Sequence, residues 1–230
     1  MNILAIDTST MISTVTVSDG VEIIGDFNVN QQKTHSESLV PMIETLLNLL
    51  GMKVEDIDKF VISKGPGSFT GLRIGMTIAK TLAQATGKDL VAISTLLALA
   101  NNSSSARCKV PMIDARGNRV YAAVFDKDFN EVIKEDLYTI DDFANRVNDL
   151  ASDVELIGTL NEKYEDKFDR AISLPLNFNN SIGRSLAKIA IEEDFPKKEL
   201  YEIVPNYLRA SQAERELAKN DKKDGNKGRR

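Results

Sequence analysis

The sequence predicts an α/β protein made of two tandem β-β-β-α-β-α units, each folding around a mixed sheet. Three observations lead there. Short β-branched apolar runs alternate with helix-length amphipathic stretches. The apolar run Lys109–Asp114 ends in an aspartate, as Asn2–Asp7 does, and the two acids stand 107 residues apart. Between the two series lies a polar break, Asn101–Ser105, which divides the chain into units 1–101 and 102–210 ahead of a charged segment at 211–230.

In the first unit, Asn2–Asp7 reads as a strand. Its unbroken run Ile3, Leu4, Ala5, Ile6 marks a central strand buried on both faces. Ile12–Ser18 alternates and runs into Asp19-Gly20, a strong hairpin signal, so Val21–Val29 returns beside it. A helix follows over 36–50, closed by Gly51. Its start is open between two cappings: Thr34 with Glu37 as a capping box, or Ser38 as N-cap with Pro41 in the tolerated first turn. Leu39, Ile43, Leu46, Leu47 and Leu50 make its core stripe, while Val40, Met42 and Leu49 stand off it.

Asp58–Lys64 is the next strand. It leads into Lys64-Gly65-Pro66-Gly67-Ser68-Phe69-Thr70-Gly71-Leu72-Arg73, a glycine-rich turn before a helix over 72–86 that Gly87 stops. Such a turn either cradles phosphate at a helix N-terminus or lets helix and strand pack closely. Gly65, Gly67 and Gly71 are spaced G-x-G-x-x-x-G, which matches neither of the two common phosphate-binding patterns. The helix carries Gly71, Gly75, Ala79 and Ala83 four apart, on one small-residue face. Leu72, Met76 and Leu82 lie to one side and Ile74, Ile78 and Ala85 to the other, so it is apolar nearly all round. It is either sandwiched inside its own domain or packed against another protein. A strand at Leu90–Ile93 and a helix over 95–101 complete the unit.

The second unit repeats the order. Lys109–Asp114, Arg119–Asp126 and Glu131–Tyr138 read as strands, followed by a helix at 140–150 and a strand at 154–158. Helical segments near 160–168 and 180–194 close it. Duplicated units of this order resemble the RNase H-like fold shared by actin, sugar kinases and Hsp70 chaperones.

Composition bounds the function. In 230 residues, 42% are hydrophobic and 27% charged, ordinary values for a globular protein. No apolar run reaches the length of a membrane span, and Met1-Asn2-Ile3 opens directly into a strand pattern, so no membrane partner and a cytosolic location are expected. Cys108 is the single cysteine, which leaves no disulfide framework and no cysteine metal cluster. The net charge of −5 argues against a nucleic-acid surface over the whole protein. Six Lys or Arg against two Asp give residues 219–230 a charge of +4, leaving −9 on the rest. That tail lacks apolar residues and is expected to be unstructured, either solvated or touching RNA phosphates.

Ser63-Lys64-Gly65-Pro66-Gly67-Ser68-Phe69-Thr70-Gly71-Leu72-Arg73-Ile74-Gly75 resembles the signature of the TsaB (YeaZ) family. The resemblance extends to Ile6-Asp7-Thr8-Ser9-Thr10, His35-Ser36-Glu37, Ile113-Asp114-Ala115-Arg116 and Pro205-Asn206-Tyr207-Leu208-Arg209. It implies a non-catalytic scaffold subunit in the bacterial machinery that places threonylcarbamoyl on adenosine 37 of tRNA. The implied partners are the catalytic subunit TsaD and the ATPase TsaE, with a homodimer when TsaD is absent and tRNA reached through the complex. In such proteins the first two helices form the interface. Here those helices supply Leu39, Met42, Ile43, Leu46, Arg73, Gly75, Met76, Ala79, Lys80 and Ala83 as the expected partner-binding residues. No cofactor of its own is implied, although ATP or ADP at an interface within the complex is compatible with the family.

Candidate chemistry is thin. Asp7-Thr8-Ser9-Thr10 occupies the place of a first phosphate loop, where a strand-terminal acid can position a magnesium-bound water, or simply accept bonds from its own turn. The glycine that lets phosphate approach is replaced by Ser9. Asp114 and Arg116 are a second possible nucleotide or partner contact, or a brace for the hairpin at Gly117-Asn118. Catalytic relatives carry two histidines that share a metal; the matching places here are Thr95 and Leu99, so neither a metal site nor a catalytic set is expected. The single imidazole, His35, reads as a local hydrogen-bonding group at a helix start. The alternative class is an ATP-dependent phosphotransferase acting alone.

Overall fold

A computed structural model of the protein describes residues 1–30, 35–175 and 181–208. The first sheet is built from β1 (Ile3–Asp7), β2 (Ile12–Ser18), β3 (Ile23–Asn30), β4 (Lys59–Ser63) and β5 (Asp89–Ile93), in the order β3-β2-β1-β4-β5. β1, β2 and β3 pair antiparallel, while β4 and β5 join parallel to β1. The second sheet repeats this layout as β10-β9-β6-β7-β8. Its strands are β6 (Cys108–Asp114), β7 (Arg119–Phe125), β8 (Glu131–Thr139), β9 (Val154–Ile157) and β10 (Ala171–Ser173). The two sheets are RNase H-like units in tandem.

β1 shows why its sequence is continuously apolar. Leu4 and Ile6 enter the core under α1 (His35–Leu49) and α2 (Phe69–Thr86), whereas Ile3 and Ala5 enter the core on the opposite face. That opposite face is covered by α6 (Gly183–Glu192), which belongs to the second half of the chain. The exchange is mutual: α3 (Thr95–Ala100), from the first half, lies on β6 and β7. The outer face of the second sheet is covered by α4 (Ile140–Asn148), and α5 (Asn161–Tyr164) follows β9. Each sheet is thus a middle layer, with one covering helix lent by the other half.

Several boundaries differ from the sequence reading for local reasons. Asp19 Oδ1 accepts hydrogen bonds from the amides of both Val21 and Glu22, both 2.8 Å, so the turn absorbs them and β3 starts at Ile23. α1 already runs from His35, which rules out Ser38 as its cap and leaves Pro41 inside the helix. Thr34, the other candidate cap, lies outside the described residues, as do Arg209 and the basic tail. α2 starts at Phe69 rather than at residue 72, because Ser68 Oγ accepts from Gly71 N and caps the helix. Its other end is Gly87 in the left-handed conformation.

The chain beyond α6 returns to the first unit. A single 3₁₀ turn at Leu200–Glu202 leads to Ile203, which is buried in the core under α1 and α2. Residues 203–208 then run as a strap across the glycine-rich loop. No helix among the described residues is long and apolar enough to cross a membrane.

Candidate functional site

The parallel strands β1, β4 and β5 of the first sheet end on one side, where α/β sheets of this kind open a crevice. Asp7, at the end of β1, faces a cleft of about 710 Å3 whose far wall carries Asp114, at the end of β6. The repeat therefore brings the two strand-terminal acids to opposite sides of one space. Of the residues expected there, Asp7, Ser9, Asp114 and Arg116 line the cleft.

Thr8 does not. It is fully buried beneath α2, where its hydroxyl donates to the Gly71 carbonyl at 2.8 Å, and this excludes it from ligand contact. Asp7 is bonded within its own unit. Its Oδ1 accepts from the Ser63 hydroxyl and, at 2.9 Å, from Ser9 N. The glycine-rich loop rests directly on the turn: Ser68 N donates to Ser9 O at 2.6 Å, and a Cβ at Gly67 would stand 2.3 Å from that same carbonyl. The glycine-rich loop and the turn after β1 are thus packed backbone against backbone.

Burial pushes the Asp7 carboxyl up despite the bonds from Ser63 and Ser9, which favour the charged form. A raised folded value means that its contribution to stability is full at acid pH and is lost as pH rises through that value. Asn at this position keeps the acceptor oxygen and removes the buried charge. Asp7→Asn is therefore expected to melt at or above the parent temperature at pH 7.5, with the gap closing near pH 4. A variant that melts lower at pH 7.5 and equally at pH 4 would show that the site stabilises the carboxylate.

Asp114 braces the β6–β7 hairpin through the backbone, its Oδ1 accepting from Arg116 N at 2.8 Å. Arg116, Gly117 and Asn118 all have positive φ, and the Arg116 guanidinium is exposed. His35 ties α1 to the start of β2: Nε2 donates to Thr10 O at 2.9 Å, leaving Nδ1 to accept from Ser13 Oγ at 2.7 Å. Thr95 and Leu99, the two places where the resemblance would put metal-binding histidines, line the cleft.

The partner-binding expectation needs correction. Leu39, Met42, Ile43, Leu46, Met76, Ala79 and Ala83 all belong to the core beneath α1 and α2. Gly75 is buried as well: a Cβ there would meet Thr8 Oγ1 at 2.3 Å and Ile62 Cδ1 at 3.1 Å. The small-residue stripe of α2 thus faces its own sheet, because β1 and β4 leave no room for larger side chains. Arg73 is exposed but already engaged, stacked 4.0 Å from the Phe69 ring centre and donating from Nε to Tyr207 OH at 3.0 Å; Lys80 is half-buried. What the helix pair leaves at the surface is Val40 and Leu49, 51% and 72% exposed, with Ile74 and Ile78 half-buried.

Sequence reasoning assigned no role to the strap. Asn206 N donates to Lys64 O at 2.6 Å, and Tyr207 stacks on Phe69 with ring centres 4.6 Å apart. Asn206 Nδ2 reaches Glu135 Oε1 on β8 at 3.2 Å, and Ser94, the α3 cap, donates to the other oxygen of that carboxyl. Burial raises the Glu135 carboxyl, and Ser94 and Lys64 oppose the shift. The strap joins the two units at the rim of the cleft. Its sequence signal was the Pro205-Asn206-Tyr207-Leu208 motif itself, which has no periodicity from which a docking site could be derived.

Comparison with known proteins places this architecture. A family model described as TsaD, tRNA N6-adenosine threonylcarbamoyltransferase, matches residues 22–197. The tRNA threonylcarbamoyladenosine biosynthesis protein TsaB of Bacillus subtilis is 28% identical over 93% of this chain and 96% of its own length. Its Escherichia coli namesake is 33% identical over 57% of this chain and 58% of its own. A crystal structure from Pseudomonas aeruginosa, of a protein described as similar to peptidase YEAZ, superposes with a TM-score of 0.77 at 26% identity, covering 90% of this chain and 99% of that one. The sequence and the fold agree, and the chain belongs to the family described by the TsaD model, within it to the TsaB (YeaZ) proteins.

Proposed function

We propose that this chain is a non-catalytic scaffold subunit in tRNA threonylcarbamoyladenosine biosynthesis, the process for which its TsaB relatives are named. The observation that carries the reading is the internal commitment of the phosphate-loop position: Asp7 Oδ1 accepts from Ser63 and Ser9, and Gly67 packs against the Ser9 carbonyl. The same observation weighs against a phosphotransferase acting alone. Among the described residues, no group of three or more His, Cys, Asp or Glu is placed to hold a metal ion, and His35 is committed to Thr10 and Ser13.

The partners in this reading are the catalytic threonylcarbamoyltransferase TsaD and the ATPase TsaE, with a second copy of the chain on the same face when TsaD is absent. The contact surface is the outward side of α1 and α2, where Val40 and Leu49, on opposite flanks of the buried α1 stripe, and the half-buried Ile74 and Ile78 leave apolar area uncovered. Nucleotide belongs to the assembled complex, and tRNA is reached through it. Purified alone, the chain is expected neither to hydrolyse ATP above background nor to modify tRNA. ATP turnover that Asp7→Ala abolishes would overturn the reading.

A further inference from the structure

β3 is the outermost strand of the first sheet, and β2 is the only strand paired with it among the described residues. Its other edge directs the N–H and C=O groups of every second residue away from the sheet. The remaining sheet edges are guarded. β5 has five residues and β10 three, while β8 is irregular at two points and carries the exposed Lys134 and Asp136. β3 has eight residues, none of them Lys, Arg or Pro, and pairs with β2 in unbroken register from Gly25 to Asn30. Its single charge, Asp26, is turned inward and already paired with Arg184 Nε at 2.8 Å. Such an edge is a template for another strand.

The helix above it is open on the same side. A Cβ at Gly25 would stand 2.7 Å from Leu46 Cδ1 and 3.1 Å from Leu50 Cδ1, so α1 rests on β3 at this point. β3 and β4 both run parallel to β1. The right-handed crossover that joins them turns the Val40 flank of α1 toward α2 and the Leu49 flank past β3. Leu49, one turn from Leu46, is thus 72% exposed beyond an unpaired strand edge. A strand added beside β3 would form the floor under it.

We propose that the free edge of β3 adds the β3 strand of a second copy of this chain, antiparallel and centred on Phe27. The residues select this register. Gly25, Phe27 and Val29 face α1, whereas Asp26, and Asn28 by alternation, face α6. Centring the pair on Asp26 would set two carboxylates opposite each other. Centring it on Phe27 instead sets Asp26 opposite Asn28 and Gly25 opposite Val29, twice each. Val29 of the second copy then lies beside Gly25 and under Leu49, and the twofold gives both copies the same cover.

Sedimentation equilibrium of the full chain without TsaD tests this, with Val40→Glu in every sample to disable any self-contact on the α2 side. A monomer–dimer equilibrium with a Kd of about 10–100 µM is expected, as suits an interface below the standard size. Adding Asn28→Asp sets like charges opposite Asp26 at both ends of the pair and should weaken the dimer about tenfold. Thr14, which donates to Asn28 Oδ1 at 2.9 Å, can donate to the new carboxylate, so the melting temperature should hold. Asn28→Lys sets unlike charges there and should dimerise at least as well as its parent. Leu49→Ala removes the cover over Val29 and should also weaken the dimer about tenfold, with the fold intact. A chain that stays monomeric at about 500 µM, well above the expected Kd, would overturn the proposal. So would a dimer indifferent to Asn28→Asp and Leu49→Ala, or one that Asn28→Lys weakens as much as Asn28→Asp does. Association that Val40→Glu alone abolishes would place the second copy on the α2 side and also overturn it. None of these outcomes concerns TsaD, so the scaffold reading stands or falls separately.

Discussion

Gly75→Leu is expected to damage the isolated protein before it touches any interface. A side chain at residue 75 would start with a Cβ 2.3 Å from Thr8 Oγ1, and Thr8 cannot yield. It is fully buried, and its hydroxyl is bonded to the Gly71 carbonyl one helical turn away. α2 must therefore lift from β1 and β4, opening the core that contains Ile6, Ile62, Met76 and Ala79. Overpacking at such a site costs about 3 kcal/mol, which for a chain of this size lowers the melting temperature by about 6–12 °C. Gly75→Ala meets the same atom and should follow in direction. A variant that melts like the parent but fails to associate would place the small-residue stripe on the outside and refute the packing described for α2.

The second large effect is expected at the surface. Val40 and Leu49 are more than half exposed on α1, so a glutamate at either disturbs little of the monomer's own packing. Val40→Glu and Leu49→Glu should each leave the melting temperature within about 2 °C of the parent, as surface changes of this kind usually do. If the flank of α1 that carries the substitution lies in the interface, the buried charge lacks a partner in the complex. Such a change commonly costs about 2–3 kcal/mol or more, close to a hundredfold in affinity. The pair of readouts is opposite to that of Gly75→Leu: assembly lost with stability kept. A lowered melting temperature in these variants would mean that α1 is covered by the chain in solution.

Much of this was legible in the residues, and the failures have physical causes. The continuous apolar run of β1 predicted a strand covered on both faces, and Leu4 and Ile3 indeed enter different cores. The paired aspartates predicted the repeat, and both sheets follow one strand order. Periodicity also identified the small-residue stripe of α2, but it reports which residues share a face, not what covers that face. Both answers fit the sequence, and Thr8 decided between them. The exchange of α3 and α6 between the halves was invisible for the same reason, since a helix has the same apolar stripe whichever sheet it lies on. β10 was missed because three residues, Ala171–Ser173, are too short to show alternation. The site was legible only in part. Asp7 and Asp114 could be placed at strand ends, but the bonding of Asp7 depends on Ser63, 56 residues away, and the packing of its turn depends on the backbone of the glycine-rich loop.

The central claim is that this chain works by holding the catalytic subunit, and the most direct measurement is the mass of the mixture. The purified full chain is combined with TsaD and followed by size-exclusion chromatography with light scattering. The account predicts one species with the summed mass of the two proteins, formed by the parent and by Asp7→Asn, and lost with Val40→Glu or Leu49→Glu. Separate elution of the two parent proteins at micromolar concentration, or a complex indifferent to both glutamate substitutions, would contradict it.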